Sequence, residues 1–416
     1  MKLRPLLSIF SSTSDGQSPT PPPSKLLVPS DSSSNISDAT TTTTSFSLPL
    51  RQFSPGNLTL SLSHLPLTSL KPLPASLKFL AVHNHLLYAA TGNLIHVLDT
   101  SSFALLDTFS VARSSSGCVK SVAFSNGNIY TSHQDNKIRV WKLTENKRHK
   151  RIATLPTLED RLLRSVLPKN YVNVRRHRKK LWIEHHDAVS GLAVITDQLM
   201  CSASWDKYLK IWNTSDLRCV ESIKAHDDAI NAVIVASDGT IFTGSADRRI
   251  KVWAKPKAIR KYGLIATLEK HKSAVNALAL NDDGSVLFSG GCDRVVLVWD
   301  KEHGSNCMVL SEVLRGHSKA ILCLINVSNL LFSGSADRTV RVWQRRYEGK
   351  FYCFKVLEGY ERPVRSLVAD HGEATSSSET NYKSNIRVFS ESPNGVIKLI
   401  AIKGLNIFDS VPIHVR

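Results

Sequence analysis

Hydrophobic and polar positions alternate along this chain in short runs, and the runs come in sets. Val275-Asn276-Ala277-Leu278-Ala279-Leu280 and Thr339-Val340-Arg341-Val342-Trp343 are typical. Alternation with period two over five or six residues, bounded by turn-forming residues, predicts half-buried β-strands. One pattern punctuates these runs: Ser or Thr, three residues, Asp, five residues, Trp. It stands at Thr131/Asp135/Trp141, Ser202/Asp206/Trp212, Thr243/Asp247/Trp253, Ser289/Asp293/Trp299 and Ser333/Asp337/Trp343. From Trp212 onward the tryptophans are 41, 46 and 44 residues apart, the length of a repeating unit of four short strands.

A histidine precedes four of the aspartates by 20 to 22 residues: His185, His226, His271 and His317. His186 competes with His185, which aligns better because HHDAVSGL then matches HDDAINAV. Each Asp is followed by Arg, Lys or Asn, where a tight turn is needed and a carboxylate can bond its own backbone. A half-buried Asp also needs donors, which imidazole, hydroxyl and indole N–H supply.

Taken together these residues resemble the WD-repeat family over roughly residues 75–402. The resemblance implies an all-β fold, a seven-bladed WD-repeat β-propeller. It also implies that the His, Ser/Thr, Asp and Trp of a blade form a hydrogen-bonded structural tetrad, assigned here to the four His-containing sets from His185 to Trp343 named above. The chain departs from the family pattern in places. Only Trp299 is followed by Asp, and Gly-His survives only at Gly316-His317. Blade two has Ser115 where the histidine is expected. In the first unit, residues 75–109, Leu98 replaces Trp and Gly92 replaces Asp. Near the C-terminus Ser390/Asn394/Ile400 keep the spacing without Asp or Trp, and Tyr360 takes the histidine position. Counting these degenerate units gives seven blades. Closing the ring requires a strand from the N-terminal side, for which the alternation from Leu58 to about Leu70 is suited, removing an exposed sheet edge. The expected organisation is a disordered Ser/Thr/Pro-rich tail over 1–57, a propeller over 58–408 and a C-terminal tail over 409–416.

Trp141 and Trp212 are 71 residues apart, about 30 more than a repeat needs. With Arg151–Leu155 as the outer strand of blade two, an insert remains over 156–182. Thr157, with Asp160 three residues on, predicts a helix start, and Leu158, Leu162, Leu163, Val166 and Leu167 fall on one helical face that Pro168 ends. A basic run follows: Arg175, Arg176, Arg178, Lys179 and Lys180, with His177 among them. Of the formal net charge of +18, ten units lie within residues 147–183. Such a focus suits an acidic partner, a phosphate or nucleic acid, or a nuclear import signal; a solvated loop edge is the plain alternative. No aromatic residues interleave with the run, so single-strand stacking is not supported. The motif order, with PTLEDRLLRSVLPKNYVNVRRHRKKLWIEHHDAVSGL and GSADRRIKVW, resembles the plant Jingubang-like branch of WD-repeat proteins. That resemblance implies a plant regulatory protein acting through protein contacts, in the nucleus and cytoplasm.

Propellers of the family often bind partners on the narrow face, through positions three and five residues after the His and just before the Asp. Mapped here the set includes Lys78, Lys120, Gln134, Ser190, Trp205, Asn231, Asn276, Leu322 and Arg365. Trp205 stands out because the other residues before the motif Asp are Gln134, Ala246, Cys292 and Ala336. An exposed Trp is a good anchor for a partner; packing against the insert helix is its structural alternative. Lys78, Lys120 and Arg365 are expected to place positive charge near the pore on blades one, two and seven, which favours an acidic or phosphorylated protein partner.

The remaining signals bound the function. A His/Asp/Ser set that recurs in four blades reads as structural, since catalysis needs a single constellation. There is no HExxH, no P-loop and no dinucleotide fingerprint placed between a strand and a helix. The seven cysteines form no CxxC pair, so neither a zinc site nor a disulfide framework is expected, and a reducing compartment fits. No run reaches the ~18 apolar residues of a membrane span. No cofactor, no metal and a monomeric propeller are expected. The N-terminal ten residues carry only a weak targeting pattern, so a plastid destination is less favoured than nucleus or cytoplasm. The reading is a non-catalytic interaction scaffold; the alternative is an RNA- or DNA-binding protein using residues 175–180.

Overall fold

The structure, a computed structural model, describes residues 61–66, 77–110, 117–175, 178–256, 261–302, 307–346, 349–371, 384–391 and 397–405. The expectations for residues 1–57 and 409–416 lie outside these. The described strands build seven four-stranded antiparallel sheets, each a meander of neighbouring strands. These are the blades: one from Leu77 to Ser110, two from Val119 to Leu155, three from Val189 to Lys224, four from Ile230 to Leu268, five from Val275 to Leu314 and six from Ile321 to Leu357. Blade seven combines Leu367–His371, Ser384–Glu391 and Ile397–Leu405 with Ser61–Pro66. That last strand comes from the N-terminal side and pairs antiparallel with Ile397–Leu405, His64 opposite Ile400. The two ends of the chain are thereby joined in one sheet. The innermost strand of each blade lies against that of the next, and that of blade seven lies against that of blade one, closing the ring. The fold is thus an all-β, seven-bladed propeller, the architecture that the resemblance implies.

The alternating pattern explains why the blades stack. Side chains facing a neighbouring blade are apolar and fully buried: Phe288, Val298, Ile321, Leu331 and Trp343 share one cluster between blades five and six. Small residues let the blades approach. A Cβ on Gly290 would lie 2.5 Å from Ile321 Cγ2 of the next blade, and one on Gly244 would lie 2.7 Å from Val275 Cγ1. The turn after each motif Asp places the next residue in the left-handed region, with φ of 78° at Lys207, 73° at Arg248 and 69° at both Arg294 and Arg338. Side chains pay for this conformation, and the carboxylate stabilises it: Asp206 Oδ1 accepts the Tyr208 N–H at 3.0 Å, and Asp247 and Asp337 do the same for Arg249 and Thr339.

The insert between blades two and three holds helix α1, Leu158–Ser165. Thr157 caps it, its hydroxyl accepting the Asp160 N–H at 3.2 Å, as the spacing predicted. A short 3₁₀ turn at Pro168–Asn170 leads into an antiparallel hairpin of Tyr171–Arg175 with Arg178–Leu181. Among the described residues no helix is long and apolar enough to cross a membrane.

Candidate functional site

Four blades carry the same polar chain. In blade three the Trp212 indole N–H donates to Ser202 Oγ at 2.8 Å, Ser202 Oγ lies 2.7 Å from His185 Nε2, and His185 Nδ1 lies 2.8 Å from Asp206 Oδ2. Blades four, five and six repeat it through Trp253/Thr243/His226/Asp247, Trp299/Ser289/His271/Asp293 and Trp343/Ser333/His317/Asp337, each His–Asp contact at 2.8 Å. The proton order follows from the donor inventory. The indole can only donate, so the hydroxyl accepts from it and donates onward to Nε2. The imidazole is then neutral with its proton on Nδ1, donated to the carboxylate. Burial pulls the pKa of His185, His226 and His317 below the ordinary histidine value, against the attraction of the aspartates. Burial alone would raise the Asp206 carboxyl, but His185 and the donors around it, including the His186 and Tyr208 backbone N–H groups, hold it well below the ordinary range. In blades three, four and six both carboxylate oxygens of the aspartate have donors, and in all four blades the set is a structural lock linking the second and third strands, the turn between them and the loop before the first strand.

The other blades give the buried hydroxyl a partner by different means. In blade two, where the sequence has Ser115 at the expected histidine position, the ring comes from the second strand itself. His133 Nε2 sits 2.8 Å from Thr131 Oγ1, which also accepts the Trp141 indole N–H at 2.9 Å. Asp135, with no loop histidine, instead accepts Arg139 Nη1 at 3.0 Å. Burial depresses His133 to about 3, helped by the Arg139 charge. In blade seven Tyr360 fills the histidine position and its hydroxyl lies 2.6 Å from Ser390 Oγ. In blade one Thr91 Oγ1 meets His96 Nε2 at 3.1 Å. Sequence reasoning missed His133 and His96, because it sought the ring upstream in the loop.

Toward the central axis a second pattern repeats. The innermost strands slip register by one residue near their starts, and the skipped residue is Lys78, Lys120, Ser190, Asn231, Asn276 or Leu322 in blades one to six. A bulge frees its residue from the ladder and re-aims the side chain. In three blades that side chain stitches to the next blade: Ser190 Oγ and the Asn231 and Asn276 amides donate to the carbonyls of Ile230, Val275 and Ile321. Their polar groups are therefore engaged within the ring. Lys78, Gln134 and Arg365 are exposed, and Leu322 is half-buried. Lys120 lies over the Trp205 ring, its Nζ 4.8 Å from the centroid, and the indole remains 37% exposed. Burial foremost, and then the charges of Lys78 and Arg365, lower the Lys120 pKa below the ordinary lysine value, against a pull from Cys118. Blades seven, one and two thus contribute one cationic cluster, with Trp205 of blade three at its edge.

The basic run lies on the insert hairpin. Arg175 closes its first strand, Arg178 opens the second, Lys179 is exposed, and the Lys180 charge is felt at Lys137 and His186. Arg176 and His177 lie outside the described residues. Among the described residues no group of three or more His, Cys, Asp or Glu is arranged to hold a metal ion.

Four segments, residues 178–213, 217–254, 263–300 and 308–344, match the family model of the WD domain, G-beta repeat. They correspond to blades three to six, the four with complete tetrads. With the seven-bladed architecture they support a WD-repeat protein of a kind that generally serves as a protein-interaction scaffold.

Proposed function

We propose that this WD-repeat propeller is a non-catalytic regulatory adaptor that binds an acidic or phosphorylated protein segment at the axial end of its innermost strands. The observation that carries the reading is the convergence of Lys78, Lys120 and Arg365 beside the half-exposed Trp205. Like charges brought together and partly desolvated raise one another's energy, and an anion relieves it. Trp205 supplies a flat apolar surface next to the cations, the combination that anchors binding energy at interfaces. The histidines, hydroxyls and aspartates that would suggest catalysis are engaged in the blade locks. The motif order of the insert favours a plant regulatory adaptor of the Jingubang-like branch acting in the nucleus and cytoplasm, as a monomeric propeller.

The test is binding to peptide arrays that carry acidic, phosphorylated, neutral and basic sequences. Wild type should retain acidic or phosphorylated peptides, and Arg365→Glu should weaken them at least ten-fold with an unchanged melting temperature. Equal retention of neutral and acidic peptides would contradict the reading.

A further inference from the structure

Helix α1 is mounted inside out. An amphipathic helix on a globular domain ordinarily turns its apolar stripe inward and its charges outward. Here Asp160 is 2% exposed, whereas Leu158 is 71%, Leu162 61%, Leu163 60% and Val166 78% exposed. The charged side holds the helix to the propeller. Arg164 Nε donates to Asp160 Oδ1 at 2.7 Å, Arg164 Nη2 donates to the Cys219 carbonyl of blade three at 3.3 Å, and the guanidinium lies 4.6 Å from the Trp182 ring centroid. Arg161 Nε pairs with Glu184 Oε1 at 2.9 Å. Leu167 and Tyr171 extend the exposed apolar face, with the Tyr171 hydroxyl donating to the Ser165 carbonyl at 3.2 Å. Five large aliphatic side chains and a tyrosine are therefore held in contact with water by polar contacts between the helix and the propeller, which burial alone would never select.

The border of this face is basic. Arg161, Lys169 and Lys179 are exposed, and Lys180 follows Lys179 in the second strand of the hairpin beside the helix. We infer that α1 and the basic hairpin form a second docking surface, separate from the axial cluster, for an amphipathic helix of a partner protein whose apolar stripe is flanked by acidic residues. The occupant follows from complementarity: leucines against leucines at the centre, carboxylates against Arg161 and the lysines at the rim. A nucleic-acid backbone would leave the leucines unmatched. A lipid surface fits less well, because interfacial faces favour tryptophan and phenylalanine outward, whereas Trp182 is turned inward under Arg164 and the aromatic on this face, Tyr171, has its hydroxyl tied to the Ser165 carbonyl.

The probe is an 18-residue fluorescent peptide with leucines at helical spacing and glutamates on the flanks, compared by anisotropy with the same peptide carrying lysines instead. The full chain should bind the glutamate peptide at least ten-fold more tightly than the lysine peptide, and added salt should weaken that binding. L158S/L162S/V166S should reduce it at least ten-fold while the melting temperature stays within a few degrees, since those side chains bury little. Trp205→Ala should leave it unchanged, which separates this surface from the axial one. Equal binding of the two peptides, or none, overturns the inference. So does loss, in the triple variant, of binding to phosphatidylserine vesicles, of binding to a 20-nucleotide RNA or of concentration-dependent self-association, each of which would assign the face to that occupant instead.

Discussion

Blades three to six and blades two and seven solve one packing problem with different chemistry. In both sets a hydroxyl on the second strand is buried and must be satisfied. Blades three to six bring a loop histidine and a turn aspartate to it, and in blade three the His185–Asp206 pair closes the chain. Blade two brings His133 from the same strand and gives its aspartate to Arg139; blade seven uses the Tyr360 hydroxyl. The shared requirement is a partner for the buried hydroxyl, and several residue sets meet it. The family pattern is recognisable where the loop histidine is used and fades where another group replaces it.

Acid should break this comparison most broadly. His133, His185, His226 and His317 have folded pKa values below the ordinary 6.5. Below pH 6.5 the unfolded chain binds protons that the folded chain refuses, so stability falls as pH falls. The loss is about 1.4 kcal/mol per pH unit for each histidine that stays neutral, and it persists furthest into acid for His133, which burial holds at about 3. The depressed aspartates Asp206, Asp247, Asp293 and Asp337 add to it below about pH 4, their ordinary value. Urea midpoints from pH 7.5 to 5 check this; a flat profile would mean that the rings are protonated in the fold.

Single substitutions sharpen it. His185→Ala should cost about 3 kcal/mol, because it takes the imidazole donor from the buried Asp206 carboxylate, opens a cavity and leaves Ser202 without its acceptor. His133→Ala should cost less, about 2 kcal/mol, because Asp135 keeps Arg139 and Thr131 keeps the Trp141 indole. Tyr360→Phe should cost about 1 kcal/mol, since Ser390 still donates to the Lys398 carbonyl. Thermal or urea unfolding that ranks these three in another order would show that the networks are not equivalent solutions. Smallest of all, Leu162→Ser on the insert should shift stability by less than about 0.5 kcal/mol.

Much of the fold was legible because each blade writes its requirements locally. Asp at a turn, Trp six residues beyond it and an alternating strand on either side are short-range signals, and even the insert helix announced its start at Thr157 and Asp160. Three features were not legible, for reasons of distance. His133 lies two residues after Thr131 and so on the same side of its strand, a relation that a search for an upstream histidine passes over. The Ser190, Asn231 and Asn276 side chains looked like free contact positions; their bonds run to carbonyls of the next blade some 40 residues on. The orientation of α1 depended on Cys219 and Trp182, neither of which belongs to the helix, so the leucine stripe could not reveal that it faces water. The Lys120–Trp205 contact joins residues that only the ring brings together.

The axial cluster is expected to recruit protein. The most direct measurement is affinity purification with mass spectrometry, run in parallel on wild type and on a folded Trp205→Ala/Arg365→Glu variant, with and without nuclease. The account predicts stoichiometric protein partners rich in acidic or phosphorylated segments, retained after nuclease and lost from the variant. Partners that survive the double substitution, or that vanish with nuclease alone, would contradict it.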